Sequence, residues 1–176
     1  MKLSYIIIVL FGLILLPNIL FVDAADYVVK GSFGTVTATV DLGADARDVA
    51  SAFNTISGTT GVLAAAITRA RLTFASASTY TFTLEGKSST FSTVTATLTN
   101  TSDLTAIKDA INAVSGATGI TAALTTDKSG INIVQEEGYD VIVGDISGGT
   151  AFLQSMDRNE TLDFIYVLIT LLVMQN

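Results

Sequence analysis

The pentapeptide Thr35-Val36-Thr37-Ala38-Thr39 recurs residue for residue as Thr93-Val94-Thr95-Ala96-Thr97, about 58 residues later. The register persists beyond it. Phe53-Asn54 returns as Ile111-Asn112, and Ser57-Gly58 as Ser115-Gly116. Thr60-Gly61 returns as Thr118-Gly119, and Ala64-Ala65 as Ala122-Ala123. One extra residue in the second copy then sets Tyr80 against Tyr139 and Ser88 against Ser147. Whatever one copy folds into, the other must be able to fold into as well.

Each copy reads as strand, helix, then more strands. Residues 35–40 and 93–98 alternate Val or Leu with Thr and Ala at period two, the pattern of a strand with one buried face. Helical spacing follows. Ala46, Val49, Phe53 and Ile56 form one stripe; Leu104, Ile107, Ile111 and Val114 form the other, with Ala110 on the same face. Asp45 and Asp103 are the expected N-caps, and Gly58 and Gly116 the expected helix ends. Strands are expected to return at 62–67 and 120–124, at 71–75 and 130–135, and at 80–84 and 139–143. Turns fall at Asp127-Lys128-Ser129-Gly130 and Glu136-Glu137-Gly138. Helices this short do not persist alone in water, so each must lie on its own strands. The expected fold class is therefore α+β: two tandem β-α-β-β-β repeats, each with one helix on a small, mostly antiparallel sheet.

The expected organisation is a signal peptide or signal anchor at 1–24, a linker at 25–34, repeats at 35–90 and 91–149, and an apolar tail at 150–176. At the start, Lys2 precedes an apolar run over 6–16, and Val22-Asp23-Ala24 fits a cleavage site. The run is also long enough, from 3 to 22, for an uncleaved anchor. At the other end, residues 164–174 form an apolar stretch short for a bilayer-spanning helix. A weak anchor, a partner-binding segment, a buried helix and out-of-frame translation all fit that stretch. Membrane contact is expected only through these end segments.

The residue inventory narrows the chemistry. The chain has no Cys, no His and no Trp. Thiol nucleophiles, thiolate metal sites, disulfides and the commonest general base are thereby removed. A net charge of -7 disfavours nucleic acid. The carboxylates Glu136, Glu137 and Asp140 read as a solvated hairpin better than as a cation site, and Asp41, Asp45 and Asp48 as charges placed at a helix start. No catalytic residue, cofactor or metal is expected. Asn54 and Asn112 are expected to bond nearby backbone at the helix end. Asn100-Thr101-Ser102 and Asn159-Glu160-Thr161 match the glycosylation acceptor pattern, a short pattern that often arises by chance.

The second copy, over 104–145, resembles the flagellin hook IN motif found in the outer domains of flagellins and hook-associated proteins. The resemblance rests on Ala110-Ile111-Asn112-Ala113, on Gly119-Ile120-Thr121-Ala122-Ala123-Leu124, and on Asp127, Ser129-Gly130 and Ile131 to Ile133. The first copy resembles it more loosely, through Phe53-Asn54 and Gly61-Val62. The motif-bearing positions are thus Phe53, Asn54, Gly58, Gly61, Ile111, Asn112, Gly116 and Gly119. The resemblance implies a non-catalytic module on the surface of a bacterial flagellar filament, with other filament or hook-associated subunits as partners. The long terminal helices by which flagellins build the filament core have no counterpart in the pattern here. A secreted or membrane-anchored adhesion or binding module built from flagellin-like repeats is the alternative expectation.

Overall fold

The computed structural model describes residues 25–156 and, for the backbone, 162–169. The expected signal segment, 1–24, lies outside the described residues. The described chain is mixed α+β, with short helices and three antiparallel sheets, and divides into two compact units between Ala66 and Ile67.

The first unit is a hairpin with a helix on it. Strand β1 (Ala25–Lys30) pairs antiparallel with β2 (Thr35–Val40), Lys30 opposite Thr35. Residues 25–34, expected as a linker, are instead a strand and its turn. Alternation places Val29, Ala38 and Val40 in the interior and leaves Thr35, Thr37 and Thr39 outward. Helix α1 (Ala46–Thr55) starts as expected, with the Asp45 carboxylate accepting from the Asp48 amide at 2.8 Å. A short second turn, α2 (Ser57–Thr60), follows. The Phe53 ring packs 5.9 Å from that of Tyr27, with Val49, Ile56, Val62 and Ala64 around the same small core.

The second unit holds β3 (Thr68–Phe74), β4 (Ser78–Glu85), β5 (Ser92–Leu98), α3 (Thr105–Ala113), α4 (Ser115–Thr118), β6 (Ile120–Leu124), β7 (Ile131–Gln135), β8 (Ile142–Ser147), β9 (Ala151–Met156) and β10 (Leu162–Ile169). One sheet has the order β5-β4-β8, the other β10-β9-β3-β7-β6. All paired neighbours are antiparallel. Tyr80, Phe82 and Leu84 of β4 join Ile107 and Ile111 of α3, and Ile131 and Ile133 of β7, in one continuous core. Outward Thr79 and Thr81 meet Thr97 and Thr95 across the β4–β5 hairpin through hydroxyl contacts of 2.9 and 3.0 Å.

Several expectations need correction. The sequence period assigns β3 and β4 to the first copy, yet β3 pairs with β7 and β9, and β4 with β5 and β8. Alternation tells a strand which face is buried but not which strand lies beside it. The unit that repeats in space is a hairpin followed by a helix: β1-β2-α1-α2 and β4-β5-α3-α4. The alignment of Tyr80 with Tyr139 therefore has no structural counterpart, since Tyr80 is in β4 and Tyr139 lies between β7 and β8. Residues 62–67, expected as a strand, join no sheet. Asp103 sits one residue too early to be the N-cap, which is Leu104. Its carboxylate instead accepts from the Thr105 amide and hydroxyl, and that hydroxyl bond, the larger cause, holds its pKa below the usual value. The expected tail at 150–176 contributes β9 and the backbone of β10, paired at the edge of the larger sheet.

Ile107, on the inner face of α3, is fully buried. Ile107→Ala should destabilise the protein by about 3 kcal/mol, read as a lower urea midpoint at unchanged denaturant dependence. A loss below about 1 kcal/mol, within the range of surface substitutions, would show that α3 does not clamp this core.

Candidate functional site

Each helix passes to the following extended segment through the same set of bonds. Asn112, near the end of α3, accepts from the Ala122 amide at 2.8 Å and donates to the Ala122 carbonyl at 2.9 Å. Asn54 does the same to Ala64, at 2.9 Å in both directions. A side-chain amide carries a donor and an acceptor side by side. An extended residue presents its own N–H and C=O on one side. The asparagine therefore meets the edge of the segment as a residue of a neighbouring strand would.

Ten residues separate the bonded groups, and local contacts bend the chain between them. The Ser57 and Ser115 hydroxyls donate to the carbonyls of Asn54 and Asn112 at 2.7 and 2.8 Å. The Thr60 and Thr118 hydroxyls donate back to Ile56 and Val114 and accept from the amides of Val62 and Ile120. The reversal itself is made at Gly61 and Gly119, whose φ of 74° and 69° lies in the left-handed region. Phe53 and Ile111, one residue before each asparagine, point inward and are buried.

The expectation that Gly58 and Gly116 end the helices also needs correction. Both lie inside the short second helices, surrounded by open space, and neither has a positive φ. The left-handed residue falls three positions later because α1 and α3 tighten into an extra turn before the chain reverses.

The structure adds residues that the motif left unassigned. Thr60 and Thr118 are fully buried, and their carbonyls accept from the hairpin turns, Thr60 from Phe33 at 3.3 Å and Thr118 from Lys87 at 2.8 Å. Gly31 and Gly86 make that approach possible, since a Cβ on either would stand 1.8 or 2.2 Å from the threonine oxygen. The recurrence of Thr-Gly in both copies was the available signal. Gln135 is also buried, and its side-chain oxygen accepts from the amides of Glu137 and Tyr139, holding the turn after β7. Nothing in the pattern singled it out.

The polar surface groups also act on backbone. The Asp127 carboxylate is held by the Ser129 hydroxyl, then by the Thr125 hydroxyl and the Ser129 amide, which lower its pKa to about 2. Asn100 accepts from the amide and hydroxyl of Ser102 in an exposed turn. Among the described residues no three acidic side chains converge on one point. Two shallow depressions occur, one beside Arg71, Asp127 and Asn132, the other beside Thr39, Asp41 and Asp48. Among the described residues no helix is long and apolar enough to cross a membrane.

The two glycines of each bracket should respond oppositely to a methyl group. Gly119→Ala should cost about 1–2 kcal/mol from its left-handed backbone, with added crowding from Lys87 and Gln135 near 3 Å. Gly116→Ala should stabilise by about 0.5–1 kcal/mol. Thermal melts of the two variants decide the matter: equal shifts, or the opposite order, would refute this assignment of the turn.

Comparison with known proteins matches residues 81–136 to the flagellin hook IN motif. The match opens within β4 and closes just past β7, so it takes in most of the β4–β5 hairpin, the Asn112 bracket and the β6–β7 hairpin. The first copy lies outside it. A search of curated proteins gave no match. Residues 81–136 of this chain, which hold most of the first hairpin, the helix and the second hairpin, are thus similar to the flagellin hook IN motif.

Proposed function

We propose that this protein is a structural subunit of the bacterial flagellum, a flagellin-like outer domain exposed on the filament surface and serving motility. The observation that carries this reading is the motif match, which takes in the Asn112 bracket together with the strands before and after it. The geometry is compatible with it. The bracket residues hold backbone in place, and the outward strand faces are rich in threonine. Its partners in this reading are other filament or hook-associated subunits, and its place is extracellular. Of the eight motif positions, Asn54 and Asn112 hold the following segment, Gly61 and Gly119 make the reversal, Phe53 and Ile111 fill the core, and Gly58 and Gly116 lie in the short second helices.

The second reading is a secreted or membrane-anchored surface module for adhesion or binding. The Val22-Asp23-Ala24 pattern after an apolar run favours it. One fractionation separates the two. Filaments sheared from cells, purified and probed with antibody to this protein should contain it as a stoichiometric or minor subunit. Its absence from filaments, with recovery from the envelope or medium, would overturn the flagellar reading and leave the surface module.

A further inference from the structure

The connection between β5 and α3 carries an acceptor pattern that the fold does not require. Residues 99–103 are exposed without interruption, and among the described residues no main-chain hydrogen bond ties them to a neighbouring element. Within this turn the Asn100 side-chain oxygen accepts from the Ser102 amide at 3.0 Å and from the Ser102 hydroxyl at 2.9 Å. The Asn100 Nδ2 donates to no protein group among the described residues.

The first unit makes the same passage from strand to helix without these residues. Between β2 and α1 the chain turns at Leu42 and Gly43, with Gly43 at a φ of 77° and the Asp41 carbonyl accepting from the Ala44 amide at 3.3 Å. A connection of this kind therefore needs neither an asparagine nor a serine. Asn100-Thr101-Ser102 belongs to the second copy alone.

The acceptor pattern sets a side-chain amide two residues before a hydroxyl, with any residue but proline between them. An amide nitrogen is a weak nucleophile, because its lone pair is shared with its own carbonyl. Donors on the amide oxygen draw charge onto that oxygen, and hydrogen bonds that favour the deprotonated form ease proton loss. Ser102 supplies two such donors from one residue, and Nδ2 is left without a partner on an exposed side chain.

We propose that Asn100 is an N-glycosylation site, taking its glycan from a sugar donor that carries a diphosphate on the anomeric carbon. In the transfer a base of the transferase removes one Nδ2 proton. The nitrogen then forms the new bond to the anomeric carbon, and the anomeric C–O bond breaks to release the diphosphate. A polyprenyl-linked oligosaccharide and a nucleotide sugar share this donor chemistry. The proposal goes beyond both functional readings and depends on neither.

The test uses full-length protein purified from its own cells and digested with trypsin. The peptide 88–108 contains Asn100 as its one asparagine. Mass spectrometry should find a glycan on it, with fragmentation placing the sugar on Asn100. Ser102→Ala should abolish the modification, whereas Ser102→Thr, which restores the hydroxyl, should keep it. Both changes lie in an exposed turn, so matched melting temperatures exclude a folding cause. A chain lacking residues 2–24 identifies the donor, and either result supports the site: a glycan lost with the segment points to the polyprenyl-linked sugar, a retained one to the nucleotide sugar. An unmodified Asn100 in the native protein overturns the proposal. So does a glycan confined to the serines and threonines of the same peptide, or one on Asn100 that survives Ser102→Ala.

Discussion

A side-chain amide standing where a strand would stand governs this structure. Asn112 bonds both main-chain groups of Ala122. That contact fixes the direction in which the chain leaves the helix, and so which edge of β6 remains for β7. A net hydrogen bond adds only about 1 kcal/mol, but a buried main-chain group left without one costs about 1–3 kcal/mol. The bracket therefore selects among conformations more strongly than it stabilises any one of them. Gly119 and Thr118 make the reversal that the bracket requires, and the Thr118 carbonyl ties it to the turn of the β4–β5 hairpin. Hairpin, helix and second hairpin are joined at one point.

The first unit shows the same joint in a different setting. Asn54, Thr60 and Gly61 reproduce the contacts of Asn112, Thr118 and Gly119. Beyond the joint the two chains part ways. After β6 the chain turns at Asp127–Gly130 and returns as β7, whereas residues 62–66 run on towards β3, which pairs with β7 and β9. The local code is shared, and the partner of the resulting edge is not.

Much of this was legible in the sequence. Period-two alternation located β2 and β5, the helical stripes located Phe53, Ile107 and Ile111 in the core, and Asp45 marked a helix start. The repeat sets both asparagines at equivalent positions. Strand neighbours were not legible, because alternation encodes a face and not a partner. β4 was grouped with the first copy, although its buried Tyr80, Phe82 and Leu84 pack in the second unit. Gly58 and Gly116 looked like helix ends because a glycine closed each apolar stripe. The extra turn that carried the reversal on to Gly61 and Gly119 depends on the serine and threonine hydroxyls that bond back to the helix carbonyls. Gln135 depends on a turn that forms only once β7 is in place.

An asparagine side chain holding extended backbone in both units is the feature on which the rest stands or falls. Native-state hydrogen exchange, resolved by residue, reads that hold amide by amide. Slow exchange is expected at the amides of Ala64 and Ala122, with loss of protection at each when its own asparagine is changed to alanine and the other left intact. Rapid exchange at both amides in the unaltered protein, or protection that persists without the asparagine, would contradict it.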